Sequence, residues 1–338
     1  MKNFVFLDCG SAAMRFYFVE NDQVVQIHKE ERGINSFSSR EELKAFLKEA
    51  FGRFLERMDR TSEEVAFLMA SGMITSDMGL KNVPHLTAPA GAGELAAGID
   101  VLKGEDSPFD QPLLLVRGIK NPGIMEEFVH LENSDLMRGE ELQALGVLEQ
   151  FGMSQAPTAI IELGSTTKLI EVDAQGKITG SYTALSGQTY QAIIDGTFIG
   201  GSVKTDGTEK PEGYYDAQIV REAVAAVERD GFLRSVMTVR FAGVLLKKTW
   251  YQRQLYYSAL FAGDDKNWLI RRMGDFPADA RIYLVGNESR CRVYETMIGD
   301  CLDCRITVVS DSQQVNRLAV DGARLLVRQY PEIIASLM

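Results

Sequence analysis

Apolar and polar positions along the chain switch repeatedly between a two-residue and a 3.6-residue period, the signatures of strand and helix. Residues 4–7 (FVFL), 14–19 (MRFYFV) and 24–28 (VVQIH) are short β-rich runs separated by turn-like stretches. Residues 38–57 carry a helical pattern that Ser38 or Ser39 can cap, with Glu42 placed as in a capping box. VAFLMA (65–70) predicts a buried strand, the Gly-, Pro-, Ser- and Thr-rich segment 71–93 a loop, and LLLV (113–116) another strand. GEELQALGVLEQF (139–151) predicts a helix with Leu142, Leu145 and Leu148 on one face. TAIIEL (158–163), KLIEV (168–172) and ITGSYT (178–183) predict three more strands. Helices are then expected over 214–230, 243–263, 287–299 and 312–329, with strands IYLV (282–285) and ITVV (306–309) among them. Such alternation predicts an α/β fold.

A chain of 338 residues suggests two domains. With 45% hydrophobic and 25% charged residues it is an ordinary globular sequence, neither disordered nor fibrous. Its net charge of −11 argues against nucleic acid or anionic lipid as a partner. No stretch is long and apolar enough for a membrane helix, and Asp8 breaks the first apolar run, so MKNFVFLDCG predicts a strand rather than a signal peptide. A cytoplasmic protein acting on small molecules is expected, with a homodimer left open. Of the four cysteines, Cys301 and Cys304 form a C-x-x-C without the second pair a zinc site needs; reduced structural thiols are expected.

The first strand triplet recurs without a gap at an offset of 164 − 10 = 154 residues. Gly10 falls on Gly164, Ser11 on Ser165, Asp8 on Glu162, and Ala12 and Ala13 on Thr166 and Thr167. Each copy reads strand, acid-x-Gly-Ser turn, strand, turn, strand. Glycine in such a turn lets the backbone approach a ligand, and successive N–H groups form an anion-binding nest. A carboxylate ending the first strand can hold magnesium through water. Two such turns facing one another would grip a polyphosphate. Antiparallel hairpins also look alike by chance, but an acid at both equivalent positions favours the functional reading.

Duplicated phosphate hairpins, one per domain, resemble those of the sugar kinase, actin and heat-shock chaperone ATPase superfamily. The segments 70–91 (ASGMITSDMGLKNVPHLTAPAG), 136–146 (LMRGEELQALG), 163–173 (LGSTTKLIEVD), 186–193 (SGQTYQAI) and 284–297 (LVGNESRCRVYETM) resemble those of 2-keto-3-deoxygalactonate kinases. The resemblance implies two ribonuclease-H-like domains of the actin-like ATPase fold, with ATP and a sugar acid in the cleft between them. The division expected is 1–135, with the first phosphate loop and sugar-acid site, and 136–338, with the second phosphate loop and adenosine site. The implied reaction is ATP- and Mg2+-dependent phosphorylation of 2-dehydro-3-deoxygalactonate to its 6-phosphate. This chain has Ala12 and Ala13 where the family's first loop usually carries a hydroxyl and an amide. It also has Cys9 and Leu80 where a tryptophan is usual, and Gln188 where an acid is usual. Two alternatives stay open: transfer to water or an acyl phosphate, and a non-catalytic sensor that binds nucleotide or sugar.

Phosphoryl transfer to a hydroxyl needs a base near the acceptor oxygen. Gly139-Glu140 at a helix start resembles the Gly-Asp pair of glycerol kinase and its relatives, making Glu140 the general base; helix capping is the competing role. Arg138 could fork onto a sugar-acid carboxylate. Ser71, Ser76 and His85 are candidate sugar contacts, although a lone histidine is more often structural. Asp8 is the candidate metal ligand. Phosphate contacts are expected from Asp8, Gly10, Ser11, Arg15, Gly164, Ser165, Thr166, Thr167 and Lys168, the last with a solvated strand position as its alternative. Gly286-Asn287 resembles an adenosine-binding turn. Gly91-Ala92-Gly93-Glu94-Leu95-Ala96 matches a dinucleotide fingerprint by letters but follows no buried strand. Gly200-Gly201 reads as a flexible loop.

Overall fold

A computed structural model describes residues 3–123 and 127–338. The strands are β1 Phe4–Cys9, β2 Met14–Glu20, β3 Gln23–Glu30, β4 Phe67–Gly72, β5 Leu86–Thr87, β6 Asp100–Leu102 and β7 Leu113–Leu115. They continue with β8 Ile119–Lys120, β9 Leu136–Met137, β10 Thr158–Leu163, β11 Thr167–Val172, β12 Ile178–Ala184, β13 Arg281–Gly286 and β14 Arg305–Val309. The helices are α1 Arg40–Glu56, α2 Ala92–Ala97, α3 Glu140–Phe151, α4 Ser186–Gly196, α5 Gly200–Val203 and α6 Ala217–Asp230. They continue with α7 Phe232–Val244, α8 Trp250–Met273, α9 Glu288–Gly299, α10 Ser312–Gln329 and α11 Pro331–Leu337.

Two compact units divide these elements: Met1–Met153 with Val172–Ser181 and Asn316–Met338, and Ser154–Glu171 with Tyr182–Val315. The six-stranded sheet of the first unit runs β3-β2-β1-β4-β7-β6, beside a small sheet β5-β8-β9. The other sheet runs β12-β11-β10-β13-β14. The repeat is therefore structural. Adding 154 to the bounds of β1 gives those of β10, and each of these strands sits between its hairpin partner and a parallel neighbour.

In the first unit, alternation along β1 sends Val5, Leu7 and Cys9 into a core with Leu43, Leu47, Phe51 and Phe54 of α1. Ser39 caps α1, accepting from the Glu42 N–H at 3.1 Å, while the Glu42 carboxylate accepts from the Ser38 N–H at 2.9 Å. The opposite face of the sheet carries Phe4 stacked on Phe67 at 5.0 Å and Phe6 against Tyr17 at 5.9 Å.

Several expectations change. The units do not divide at 135/136: α3 belongs with the first unit because it lies against α10 at two glycines. A Cβ on Gly146 would stand 2.0 Å from Leu318 O, and one on Gly322 2.1 Å from Leu142 O. The helix expected over 243–263 is two helices. Lys247 takes φ +54°, and Thr249 begins α8 with a capping box completed by Gln252. Segment 71–93 is not all loop, since β4 extends to Gly72 and β5 and the start of α2 lie within it. Helices α4 and α7 add to the expected set, α4 being a short helix whose residues are mostly half-buried or exposed. Gly200 is buried in the short helix α5, where a Cβ would meet Ile194 O at 2.0 Å, so it is no flexible linker. All four cysteines are free thiols.

Candidate active site

The first unit gathers its candidate functional side chains where β1 and β4 end and α3 begins. Asp8 pairs in register with Arg15 across β1–β2 and with Ser71 across β1–β4, so all three project from the sheet face opposite α1. Arg15 Nη1 lies 3.4 Å from Asp8 Oδ2. Burial lifts the Asp8 carboxyl above the ordinary aspartate range; Arg15 pulls it back, and the negative charge of Glu140 adds to the rise. The carboxylates of Asp8 and Glu140 therefore feel one another. Ser71 is fully buried, and its Oγ is a buried polar atom without a hydrogen-bond partner. Such an atom costs about 1–3 kcal/mol unless something completes it.

Two glycines make this convergence sterically feasible. Gly72 ends β4 at φ +84°, with Cys9 O 2.6 Å from where its Cβ would be. Gly139 precedes α3 at φ +107°, its missing Cβ 3.4 Å from Gly72 Cα. Glu140, the first residue of α3, accepts from the Arg138 N–H at 3.0 Å. The fully buried Glu141 takes the capping role considered for its neighbour, accepting from the Gly139 N–H at 2.9 and 2.8 Å.

The first glycine turn, the candidate phosphate loop, closes through Gly10 N–H to Ala13 O at 3.0 Å. Residues 33–36 back it: Ile34 N–H donates to Gly10 O at 3.0 Å and Asn35 N–H to Ser11 O at 3.2 Å. Gly33 permits this approach, since a Cβ there would lie 2.3 Å from Ser11 and Ala12 backbone atoms. The N–H groups of Ser11 and Ala12 take no part in the turn's own hydrogen bonds. Ala12 and Ala13 thus remove side-chain donors but leave the backbone nest.

Arg138 requires a correction. Its Nη1 donates to Thr75 Oγ1 and Val83 O, both at 2.9 Å, and its Nη2 lies 3.4 Å from Asn82 Oδ1 and 3.5 Å from His85 Nδ1. With both terminal nitrogens engaged by segment 75–85, the guanidinium braces that loop rather than offering a fork to a carboxylate. Ser76 donates its hydroxyl hydrogen to Met73 O at 2.7 Å, within its own turn. His85 sits beside Gly118, whose Cβ would be 2.8 Å from the imidazole Cδ2.

The second unit builds its own half-site around residues 164–167. Gly164 and Ser165 are exposed, and the Ser165 and Thr166 N–H groups take no part in the loop's own backbone bonds. Arg290, one turn into α9, donates to Gly164 O at 2.5 Å and to Thr167 Oγ1 at 2.8 Å. Thr167 is fully buried and also 3.1 Å from Tyr294 OH, so its hydroxyl braces the loop and is not a phosphate donor. Lys168 is 5% exposed, which removes the solvated alternative. Gly286 takes φ +150°, a Cβ there lying 2.7 Å from Leu163 O, and Asn287 caps α9, accepting from Ser289 N–H at 3.0 Å. A cavity of about 330 Å3 opens beside the loop, lined by Gly164, Gly187, Tyr190, Phe261, Asn287 and Arg290 among others. Sequence reading did not single out Arg290, Tyr190 or Ser186, although they lie within the family-like segments 284–297 and 186–193, and Gly33 carries no signature in a single chain.

The duplicated hairpin units, each with a glycine turn and an acid near its first strand end, define a two-unit α/β protein of the actin-like ATPase architecture. The family model of 2-keto-3-deoxy-galactonokinase matches residues 8–320, and the chain belongs to that family. It is a phosphotransferase. The 2-dehydro-3-deoxygalactonokinase of Escherichia coli (strain K12) is 23% identical over 309 residues, covering 91% of this chain and 92% of that protein. A crystal structure of a Sinorhizobium meliloti protein that carries the name 2-dehydro-3-deoxygalactonokinase has the same fold. It superposes with a TM-score of 0.74 at 16% identity, over 97% of this chain and 99% of that one. Among the described residues no helix is long and apolar enough to cross a membrane.

Proposed function

We propose that the protein transfers the γ-phosphoryl group of ATP to the terminal hydroxyl of a 2-keto-3-deoxy sugar acid, 2-dehydro-3-deoxygalactonate being the first substrate to test. Membership of the family supports the substrate class. The observation that carries the chemistry is the meeting of Asp8, Glu140 and the unpartnered Ser71 hydroxyl beside a turn whose Ser11 and Ala12 N–H groups are not used in its own hydrogen bonds. Glu140 is the general base: it stands at the first turn of α3, where its carboxylate accepts from the Arg138 N–H, and takes the proton of the acceptor hydroxyl. Ser71 donates to, or accepts from, the sugar. Residues 75–85, braced by Arg138, form the wall of the acceptor site. In the second unit the 164–167 loop receives phosphate oxygens, and the neighbouring cavity receives the nucleoside against Tyr190 and Phe261.

Magnesium fits this donor set. Among the described residues no three His, Cys, Asp or Glu side chains form a cage for a metal. Mg2+ in phosphoryl transfer characteristically takes one or two carboxylates, waters and the nucleotide's own phosphates. Asp8, raised by burial and by Glu140, is where a cation would relieve repulsion. When bound, the ion would neutralise charge building on the phosphoryl oxygens.

The test is ADP release measured over a panel of sugar acids and neutral hexoses, with a no-sugar control. Turnover restricted to 2-keto-3-deoxy acids supports the reading. Equal turnover without sugar, or with neutral hexoses, rejects it.

A further inference from the structure

Beneath the second phosphate loop lies a buried hydrogen-bond chain whose direction can be assigned hydrogen by hydrogen. Asp265 of α8 is 1% exposed. Its Oδ1 accepts from Ser186 Oγ at 2.7 Å and from Trp268 Nε1 at 3.1 Å, and its Oδ2 accepts from Tyr294 OH at 2.5 Å. A carboxylate can only accept, so the single phenolic hydrogen of Tyr294 points at Asp265. Thr167 Oγ1, 3.1 Å from the Tyr294 oxygen, must then be the donor to it. That leaves Thr167 Oγ1 to accept from Arg290 Nη2 at 2.8 Å, while Arg290 Nη1 holds Gly164 O at 2.5 Å. The second arm starts at Ser186, the first residue of α4. A Cβ on the adjacent Gly187 would lie 2.4 Å from Gly164 O, and Gln188 N–H donates to Ser165 O at 2.8 Å.

We propose that Asp265 is a positioning residue for the nucleotide half-site. Its carboxylate holds both walls of the 164–167 loop, and so sets the direction of the loop N–H groups, without touching the nucleotide. This rests on the nucleotide reading of the second unit. An amide cannot do the same. Its NH2 group would face a donor, either Tyr294 or the Ser186–Trp268 pair. If Tyr294 turned its hydrogen toward Thr167, the Thr167 oxygen would accept from both Tyr294 and Arg290, and its own hydrogen would lose its buried acceptor. A chain in which every hydrogen has an acceptor becomes one with either two donors facing each other or a buried hydrogen left without an acceptor, in a dry interior where such mismatches are costly.

The experiment titrates ATP and ADP into the full-length protein and measures KM for ATP and for the acceptor separately. The variants are Asp265→Asn, Tyr294→Phe and Ser186→Ala. Tyr294→Phe keeps the ring in the core and removes only the link. Each variant is expected to weaken ATP binding about 10-fold, the size of one hydrogen bond to a charged group. Acceptor KM should stay within about twofold, as for a site not addressed by the change. Combining Tyr294→Phe with Asp265→Asn should add little, because both cut one chain. If Tyr294→Phe and Ser186→Ala bind ATP like the wild type, Asp265 has no positioning role. If ATP and acceptor KM worsen together with melting temperature, it is merely structural. Should Asp265→Asn not fold, Tyr294→Phe decides alone. Wild type that binds neither nucleotide overturns the nucleotide reading itself, a result distinct from unaltered variants of a binding wild type.

Discussion

Replacing Glu140 by glutamine removes one negative charge and almost nothing else. The glutamine carbonyl can still accept the Arg138 N–H that the carboxylate accepts at 3.0 Å, so the start of α3 keeps its geometry. Glu141 continues to hold the Gly139 N–H, and Gly146 continues to seat α3 on α10. The loss should therefore fall on chemistry. General-base help is worth roughly 10²–10⁴-fold, or about 2.7–5.5 kcal/mol of barrier. Glu140→Gln should lower kcat within that range, while KM for the sugar acid moves only a few-fold. A coupled ADP-release assay at saturating substrate reads kcat, and calorimetric titration of the sugar acid checks that binding survives. A second consequence is specific to this geometry. The Glu140 charge helps hold the Asp8 carboxyl high, so in the variant Asp8 should titrate lower. A variant with wild-type turnover would reduce Glu140 to a helix-end residue and refute the assignment.

Asp8→Asn should abolish most turnover without loss of stability. The native carboxyl is raised, so the folded state binds more protons than the unfolded one between the ordinary aspartate value and the raised value. Wild-type stability therefore falls as pH rises through that window, and the asparagine variant should equal or exceed it near neutrality, measured by denaturant melts across pH. Ser71→Ala should leave the free protein as stable or more so, since it deletes an unpartnered buried hydroxyl, yet raise acceptor KM. Unchanged KM would remove Ser71 from the site. Arg138→Lys should fail to rescue Arg138→Ala. One ammonium cannot span Thr75, Val83 and Asn82, so hydrogen exchange over 75–85 should quicken in both. Gly146→Ala should cost about 1–3 kcal/mol by thermal or denaturant unfolding, because its Cβ has no room against Leu318.

The sequence by itself determined the duplicated hairpin, because hydrophobic alternation and the acid-x-Gly-Ser turn are local properties repeated at a fixed offset. It also determined the strand ends that carry Asp8 and Gly164 and the helix start at Glu140, since caps and turn glycines act over a few residues. Tertiary structure decided what those residues can reach. Arg138 has the chemistry of a carboxylate fork, but a loop 55 residues away in sequence engages its nitrogens. Thr167 has the hydroxyl of a phosphate ligand, but Tyr294 and Arg290, over 120 residues downstream, turn it inward. Helix α3 follows the first unit because Gly322 of a distant helix leaves room for its backbone. Asp265 shows no pattern along the chain, and only the fold brings Ser186, Trp268 and Tyr294 to it. Hydrogen bonds and glycine-permitted approaches between distant segments depend on ångström-scale distances across the fold, which no local period records.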